Sequence, residues 1–317
     1  MKVVDILKTA ERPLFTCELV PPLKGRTIEQ VYDTIDALLC YEPAYINFTY
    51  HREEIVYRER PDGLVERYVV RRRPGTVALS AAVRYKYGIE VVPHLLCGGF
   101  SAEETEEALI ELNFLGIHNV FALRGDPPRG DKRFAPHPHG YAHTNELVKQ
   151  IANMNKGIYL DPDLKEPFPT NFCIGVAGYP EKHCEAPNME EDIVQLKQKV
   201  DNGADYIVTQ MFFINQKFFD FVDACRTAGI LVPIIPGIKP ITLMSDIDLL
   251  PQTFSIDLPK ELVQDVKACT TKSQVRAVGI DYAVQQSKEL IAYGVAGIHY
   301  YTLGKATSTA RIVEQVF

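Results

Sequence analysis

The chain has 317 residues, of which 46% are hydrophobic and 24% are charged, and its formal net charge is −7. This length can bury a large core and suits one α/β barrel better than two small domains. The negative charge argues against nucleic acid or an anionic membrane as a general partner, so an anionic ligand would need a local cluster of Lys and Arg. Because residues 1–12 lack an apolar leader and no run approaches the roughly 20 apolar residues of a membrane span, we predict a cytoplasmic protein.

The seven cysteines are scattered along the chain and form no C-x-x-C pair. Their odd number and spacing indicate neither a disulfide framework nor a zinc knuckle, so we interpret them as reduced thiols. One loop carries His137, His139 and His143. Pro138 and Gly140 break the spacing that metal ligands need, and we predict no metal site.

Apolar runs alternate with amphipathic helical segments along the whole chain, which is typical of a closed parallel (β/α)8 barrel, the TIM barrel. We therefore predict one catalytic barrel domain over residues 1–317. The predicted strands are 15–20, 44–50, 89–97, 120–123, 172–177, 206–209, 232–236 and 297–301.

Three residue pairs predict helix starts as caps or capping boxes: Thr27 with Gln30, Ser101 with Glu104, and Asn188 with Glu191. The helix after Ser101 should turn Leu115 inward, and the predicted strand at 206–209 should be followed directly by Gln210. Further helices are predicted at 76–87, 215–229, 259–269 and 274–293.

An unusually long, basic connection, 51–75, follows the second predicted strand. A solvated hairpin or an excursion over the barrel mouth is the favoured interpretation, and an anion site is the alternative.

The stretch NVFALRGDPP, 119–128, combines a strand buried on both faces with an abrupt polar turn. Gly125 can adopt positive φ and the two prolines cannot donate to a ladder, so Asp126 should lie on a stiff corner at the carboxyl end of the strand. Parallel α/β folds keep their chemistry at that end. On this segment alone, the favoured interpretation is that Asp126 only forms the turn.

Other polar residues also lie in or just past the carboxyl-terminal halves of strands, and Glu18 is the most unusual, because a barrel core disfavours an unpaired carboxylate. Closure of the barrel would bring them to one mouth, where one site could use them all. No Walker A motif is present, nor a G-x-G-x-x-G after a strand, so a nucleotide cofactor would not be held in a Rossmann fold. The residues concerned are Glu18, Thr49, His94, Asp126, Tyr179, His183, Gln210, Lys239 and Lys305.

Over nearly its whole length the chain resembles the methylenetetrahydrofolate reductases in the short bacterial form that consists of the catalytic barrel only. The segments that carry the resemblance are Glu18 before Pro21-Pro22, LRGDPP (123–128), GYPEKHCEA (178–186), DNGADYIVTQMFF (201–213), IIPGIKP (234–240) and YTLGKA (301–306). The resemblance implies that NADH, or NADPH, reduces bound FAD, which passes hydride to 5,10-methylenetetrahydrofolate. We also expect a homo-oligomer without nucleic-acid or membrane partners. The absence of a regulatory extension after Phe317 predicts that the chain has no adenosylmethionine domain.

Carried over by position, the resemblance makes Glu18 the general acid, places Asp126 near the pterin and the flavin as a second catalytic residue, and has Gln210 and Lys305 bind the substrate. The anionic folate tail and FAD pyrophosphate would give Lys199, Lys239 or Lys305 a charge to neutralise. The implied FAD-binding set is Thr49, His94, Arg124, Gly125, Asp126, Tyr141, Ala142, Ala177, Tyr179, His183, Asp192 and Lys199.

The sequence departs from the family pattern at three places. The long connection 51–75 replaces a short glycine-rich segment. Leu250 stands where a Phe is frequent and Asp246 where a Gln is frequent, which predicts weaker ring stacking. Lys305 stands where an Arg is frequent and would offer a single point charge instead of a bidentate contact.

Two other interpretations stay open. The protein could be a flavoprotein subunit that takes electrons from a ferredoxin-like partner docked on the basic segment 67–73. It could also be a non-redox, colourless folate-binding barrel.

Overall fold

The computed structural model describes residues 1–127, 134–302 and 305–317. Within these residues the strands are β1 (Leu14–Leu19), β2 (Tyr45–Phe48), β3 (Glu54–Glu59), β4 (Val65–Val70), β5 (Glu90–Leu96), β6 (Asn119–Leu123), β7 (Cys173–Gly178), β8 (Tyr206–Met211), β9 (Ile234–Ile238) and β10 (Gly297–Tyr301). Eight of them close a barrel in the order β1-β10-β9-β8-β7-β6-β5-β2, and each neighbouring pair is parallel. The predicted parallel barrel is confirmed.

Helices cover the outside of this barrel, and the first one lies at its amino-terminal end. They are α1 (Val3–Thr9), α2 (Glu29–Leu39), α3 (Thr76–Tyr87), α4 (Ala102–Phe114), α5 (Thr144–Met154), α6 (Met189–Asp201), α7 (Asn215–Thr227), α8 (Asp246–Phe254), α9 (Lys260–Ala268), α10 (Lys272–Tyr293) and α11 (Ala306–Val316). In the described ranges no helix is long and apolar enough to cross a membrane.

The half of the barrel interior near the amino ends of the strands is filled by large side chains that point inward from alternate strands. Tyr45 and Tyr206 are fully buried there with ring centroids 6.4 Å apart, and Phe121 lies 6.3 Å from Tyr206. Gly175 makes room for them, because a Cβ at that position would lie 2.4 Å from the Tyr206 ring. Since α1 packs Val3 and Leu7 against the same cluster, the described residues fill the barrel at this end.

Several predicted boundaries are wrong for identifiable reasons. The predicted strand 232–236 is observed as Ile234–Ile238, which includes Gly237. The Tyr301 ring packs against Gly237, where an added Cβ would lie 2.7 Å from that ring. Likewise, β8 runs through Gln210 instead of ending before it. The predicted Thr27–Gln30 cap is absent, since Ile28 already has helical φ and ψ, and Leu115 is exposed instead of buried.

The other two predicted caps are present. Ser101 and Glu104 form a full capping box at α4, and Asn188 Oδ1 accepts from Glu191 N at 2.8 Å at the start of α6. These short polar side chains bind amide groups that the first helical turn leaves unpaired.

The connection 51–75 contains the predicted hairpin, formed by β3 and β4 in antiparallel register from Glu54–Val70 to Glu59–Val65. Three of its seven arginines form ion pairs within it: Arg60 with Asp62, Arg71 with Glu53 and Arg72 with Glu54. Tyr57, Val65 and Val69 are among the exposed apolar residues of this hairpin. The hairpin itself does not line the cavity described below.

Candidate active site

A cavity of about 990 Å³ opens at the carboxyl ends of the barrel strands, and every one of the eight strands contributes to its wall or to the loop just beyond it. This volume is at the upper end of the range for ligand pockets, so the cavity can take a large ligand. The predicted site residues that line it are Glu18, Thr49, His94, Arg124, Gly125, Asp126, Ala177, Tyr179, His183, Gln210 and Lys305.

Four predicted residues do not line the cavity: Tyr141, Ala142, Asp192 and Lys199. Two of them support its wall from behind. Asp192 Oδ2 accepts from His183 N at 2.8 Å, and Lys199 Nζ donates to the Ala177 carbonyl oxygen at 3.1 Å. Burial lowers the pKa of the Lys199 ammonium to about 8.

Glu18 lies on the inner face of β1 with its side chain 12% exposed. Burial raises the pKa of its carboxyl from 4.5 to about 8, so the group keeps its proton at neutral pH. Its Oε2 lies 3.8 Å from His94 Nε2. Burial lowers the pKa of His94 to about 3, so both groups are neutral at pH 7 and form no ion pair.

The His94 ring is held by Asn47, whose Nδ2 lies 3.2 Å from His94 Nε2. With the neutral ring accepting at Nε2, that nitrogen is already occupied and does not bind the Glu18 proton at 3.8 Å. Glu18 makes no side-chain hydrogen bond to the residues that the structure describes. Its proton is therefore available to a ligand.

Asp126 lies on the predicted corner after β6. Gly125 has φ +89°, as expected for a turn that needs the left-handed region. Asp126 is exposed and lines the cavity, and its carboxylate has no hydrogen bond or ion pair within the described chain. Pro128, the second proline of the motif, lies outside the described residues.

Arg124 and the segment after β7 form one side of the mouth. The Arg124 guanidinium donates to Glu185 Oε2 at 2.5 Å and stacks over the Phe134 ring at 4.8 Å. Tyr179 and His183 meet edge to face with centroids 4.8 Å apart. Burial lowers the pKa of His183, so this side of the mouth presents a neutral imidazole.

Gln210 ends inward on β8, next to the bulge that separates Val208 from Met211. Its Oε1 accepts from Met211 N at 2.9 Å, which fixes the amide. Its NH2 group has no partner among residues 1–127, 134–302 and 305–317, and Gln210 lines the cavity. The side chain therefore offers a donor to a ligand.

Helix α8 forms a wall of the cavity that was not predicted from the sequence. Leu250 is buried and lines the cavity. Leu249 on the same helix and Leu243 just before it also line the cavity, although both are exposed. Pro251 inside the helix obscured it, although Asp246 at its start is a recognisable helix-start residue. Arg276, from α10, also reaches this wall.

Comparison with known proteins assigns the chain to a family. A family model described as methylenetetrahydrofolate reductase matches residues 2–317. The chain belongs to the methylenetetrahydrofolate reductase family.

Named relatives agree with this assignment. Methylenetetrahydrofolate reductase (NADH) 1 of Arabidopsis thaliana is 31% identical over 326 residues, covering 99% of this chain and 50% of the plant protein. The 5,10-methylenetetrahydrofolate reductase of Escherichia coli is 28% identical over 291 residues, covering 91% of this chain and 86% of that protein. The chain thus spans about half the length of the plant relative.

A solved structure supports the barrel fold. It is a Clostridium thermocellum protein, described as binding two copies of 5-methyl-5,6,7,8-tetrahydrofolic acid, and it has a TM-score of 0.56 at 12% identity. The match covers 98% of this chain and 97% of that one.

In this barrel, the cavity-lining site residues fall on two arcs of the strand order. The carboxyl ends of β2, β5, β6 and β7 carry nearly all the residues expected to bind FAD, and we call them the cofactor arc. The ends of β8, β9, β10 and β1 carry Gln210, Lys239 and Glu18, and we call them the substrate arc. Asp126 lies on the cofactor arc, facing the mouth that both arcs share.

Proposed function

We propose that this protein reduces 5,10-methylenetetrahydrofolate to 5-methyltetrahydrofolate, with FAD as its bound cofactor and NADH or NADPH as the reductant. The observation that carries the proposal is Glu18, a protonated and unpartnered carboxyl on the cavity wall of a chain in this family. FAD, when bound, supplies the hydride chemistry, and the protein supplies position, protons and exclusion of water.

The substrate explains why such an acid is needed. Its methylene carbon is bonded to two nitrogens and accepts hydride only after one C–N bond opens, which requires a proton on the departing nitrogen. Glu18 gives its proton to that nitrogen, the C–N bond electrons become the lone pair of the new amine, and the carboxylate regains a proton from solvent. A Glu in water would be ionised at pH 7, so burial is what makes Glu18 an acid.

The cofactor arc fits a large planar cofactor on two counts. Gly125 and Ala177 place no large side chain at their own positions on this arc, and Leu96 and Leu123 add apolar surface. His94 and His183 are neutral because burial lowers the pKa of each, so the wall carries few charges beside a ring. We assign FAD binding to the lining members of the predicted set, with Asp192 and Lys199 acting through the wall they support.

Substrate binding would fall to groups with unused hydrogen-bonding capacity. The Gln210 amide offers donors, the Asp126 carboxylate offers acceptors to the amide and amino N–H groups of a pterin, and Lys305 offers a positive charge at the rim. A homo-oligomer and a cytoplasmic location stay predictions.

The decisive experiment combines colour and two half-reactions. The purified protein should be yellow, or become yellow with FAD, and NADH should bleach it anaerobically. Adding 5,10-methylenetetrahydrofolate should restore the colour. Glu18→Gln should keep the bleaching step within about threefold and lose the recolouring step by at least about 100-fold, the scale of general acid catalysis. Equal loss of both steps would make Glu18 a positioning residue.

The two other interpretations are outcomes of the same experiment. A protein that stays colourless with FAD present would be a non-redox folate binder. A yellow protein that NADH does not bleach would take electrons from another donor. Docking of such a donor on 67–73 has little support, because Arg71 and Arg72 are already paired with Glu53 and Glu54.

A further inference from the structure

Lys239 is a buried ammonium on the cavity wall whose donors the protein uses only in part. Its side chain is 6% exposed, and it follows β9 in the middle of the substrate arc. Its partners in the described chain are Asp246 Oδ2 and the Pro240 carbonyl oxygen, each at 3.5 Å. Both distances exceed the roughly 2.7–3.2 Å of a normal N–H···O bond, so the ammonium has donor capacity left.

The Asp246 carboxylate, in contrast, accepts several close hydrogen bonds. Its Oδ2 accepts from Thr242 N at 2.9 Å, Leu243 N at 3.1 Å and Thr242 Oγ1 at 3.3 Å. These bonds fix the carboxylate at the first turn of α8. It therefore offsets the charge of Lys239 from a distance without drawing the ammonium into a close pair. Burial lowers the pKa of Lys239 and Asp246 opposes that shift.

A buried charge with unused donors is costly unless a ligand completes its hydrogen bonds. The rest of the substrate arc also presents donors, namely the protonated Glu18 and the Gln210 amide. A ligand ring on this arc must therefore turn an acceptor toward β9. The depth of Lys239 favours an atom of the ring itself over a flexible anionic tail in solvent.

Resting on the proposed function, we propose that Lys239 donates a hydrogen bond to the amide-type carbonyl oxygen of the ring on the substrate arc, with Asp246 as its positioning residue. Two rings of the proposed reaction carry such an oxygen. They are the pterin of the folate and the carboxamide-bearing nicotinamide. No covalent step is involved, because Lys239 only binds and orients.

The test is calorimetric titration of the oxidised, FAD-loaded protein with two unreactive probes, 5-formyltetrahydrofolate and NAD⁺. Lys239→Met should weaken binding of at least one probe by about 10–100-fold, the range for a hydrogen bond from a charged donor. The probe that loses affinity identifies the ring. Asp246→Asn keeps an oxygen for the Thr242 and Leu243 amides and should cost less, roughly 3–10-fold. In steady state, Lys239→Met should raise KM more than it lowers kcat.

Lys197→Met is the matched control, since Lys197 lies on the outer helix α6 and pairs there with Asp201. It should bind both probes like the wild type.

Wild-type affinity of Lys239→Met for both probes, with FAD bound, would overturn the inference and leave Lys239 as a partner of Asp246 only. If Lys239→Met does not fold, Lys239→Met/Asp246→Leu removes both charges and is judged by the same titrations. A wild type that binds neither FAD nor 5-formyltetrahydrofolate overturns the proposed function, and this result comes before any variant is made.

Discussion

A carboxylic acid that keeps its proton at neutral pH must be held away from water, and at Glu18 this requirement affects the stability of the fold. Burial raises its pKa from 4.5 to about 8. The folded protein therefore holds this proton up to about pH 8, whereas the unfolded chain releases it near pH 4.5. The stabilisation from proton binding is complete below pH 4.5 and is lost as the pH rises toward 8.

The first prediction follows from this difference. Between pH 5 and pH 8 the Glu18 contribution to the free energy of unfolding should fall by up to about 4 kcal/mol. Glu18→Gln, which does not titrate, should flatten that decline and be more stable than the wild type at pH 8. Urea titrations at both pH values measure it. Glu107→Gln, on the exposed face of α4, is the control and should keep the wild-type slope.

The same group sets a pH dependence of turnover. The rate of the folate half-reaction should be flat below about pH 8 and fall about tenfold per pH unit above it, because Glu18 then loses its proton. Reduction of the flavin by NADH should not follow this profile. Stopped-flow measurements of the two half-reactions separate them, and parallel profiles would argue against Glu18 as the acid.

Asp126 should have two separable effects. Asp126→Asn keeps the shape and removes a charge that disfavours the reduced, anionic flavin, so the midpoint potential should rise by roughly 10–30 mV, or about 1 kcal/mol. Folate binding should weaken by about tenfold, because an acceptor for the pterin N–H groups becomes an amide. Potentiometry and folate titration of this one variant measure both effects. No change in either would make Asp126 a turn residue only.

Strand-end residues could be predicted because a parallel barrel brings all carboxyl ends to one rim, wherever they fall in the sequence. Glu18 and Asp126 were found in this way. The sequence could not predict how far a side chain lies from the cavity. Asp192 and Lys199 are on a helix, and their spacing does not tell whether they touch the cavity or the wall behind it. Lys239 was visible as a strand-end cation, but its pairing with Asp246 depends on how α8 folds back over the mouth.

Among the elements, the β3–β4 hairpin is the one most independent of the barrel. The bonds that tie it down come from its base, where Arg73 donates to the Pro21 carbonyl oxygen, Lys24 N donates to the Arg72 carbonyl oxygen and Arg52 donates to that of Ala135. Its tip carries exposed apolar residues and, among the described elements, pairs only within itself.

Shortening the hairpin should therefore leave the barrel intact. Joining Glu54 to Val70 through Asn-Gly keeps the base and removes residues 55–69. We expect the free energy of unfolding to change by less than about 1 kcal/mol, since the lost contacts are local and a shorter loop costs less entropy to close. Urea unfolding and FAD content measure this, and a large loss of either would mean that the hairpin covers part of the site.

The strands were easier to predict than the helices. Barrel strands are buried on both faces and appear in the sequence as short apolar runs, whereas the helices α1, α5, α8 and α11 were not predicted. Helix α8 contains Pro251, and α5 is capped by His143 instead of the usual Ser or Thr, with the His143 amide donating to the Glu146 carboxylate. The bounds of β9 were also predicted wrongly, because Gly237 suggests a turn in the sequence. In the structure, Gly237 leaves room for the Tyr301 ring.

At the scale of the whole molecule, the two arcs differ in how the chain builds them. The cofactor arc comes from β2, β5, β6 and β7, which follow one another around the barrel, while the substrate arc joins β1 to β8, β9 and β10. The β1–β10 seam is held by contacts such as Thr302 Oγ1 to the Glu18 carbonyl oxygen at 2.6 Å, across 284 residues. Glu18 thus lies directly on the seam where the barrel closes.

Because Glu18 lies on this seam, the transfer of electrons to folate depends on β1 and β10 staying paired. If β1 and β10 separate locally, water reaches Glu18, its proton is released at neutral pH, and the cofactor arc is untouched. Under the proposed function, such a molecule would still consume NADH, and its reduced flavin would pass electrons to dioxygen instead of to folate. In mild urea we therefore expect hydrogen peroxide to rise before FAD is lost. The closed seam would then keep an electron-transfer enzyme from becoming an oxidase.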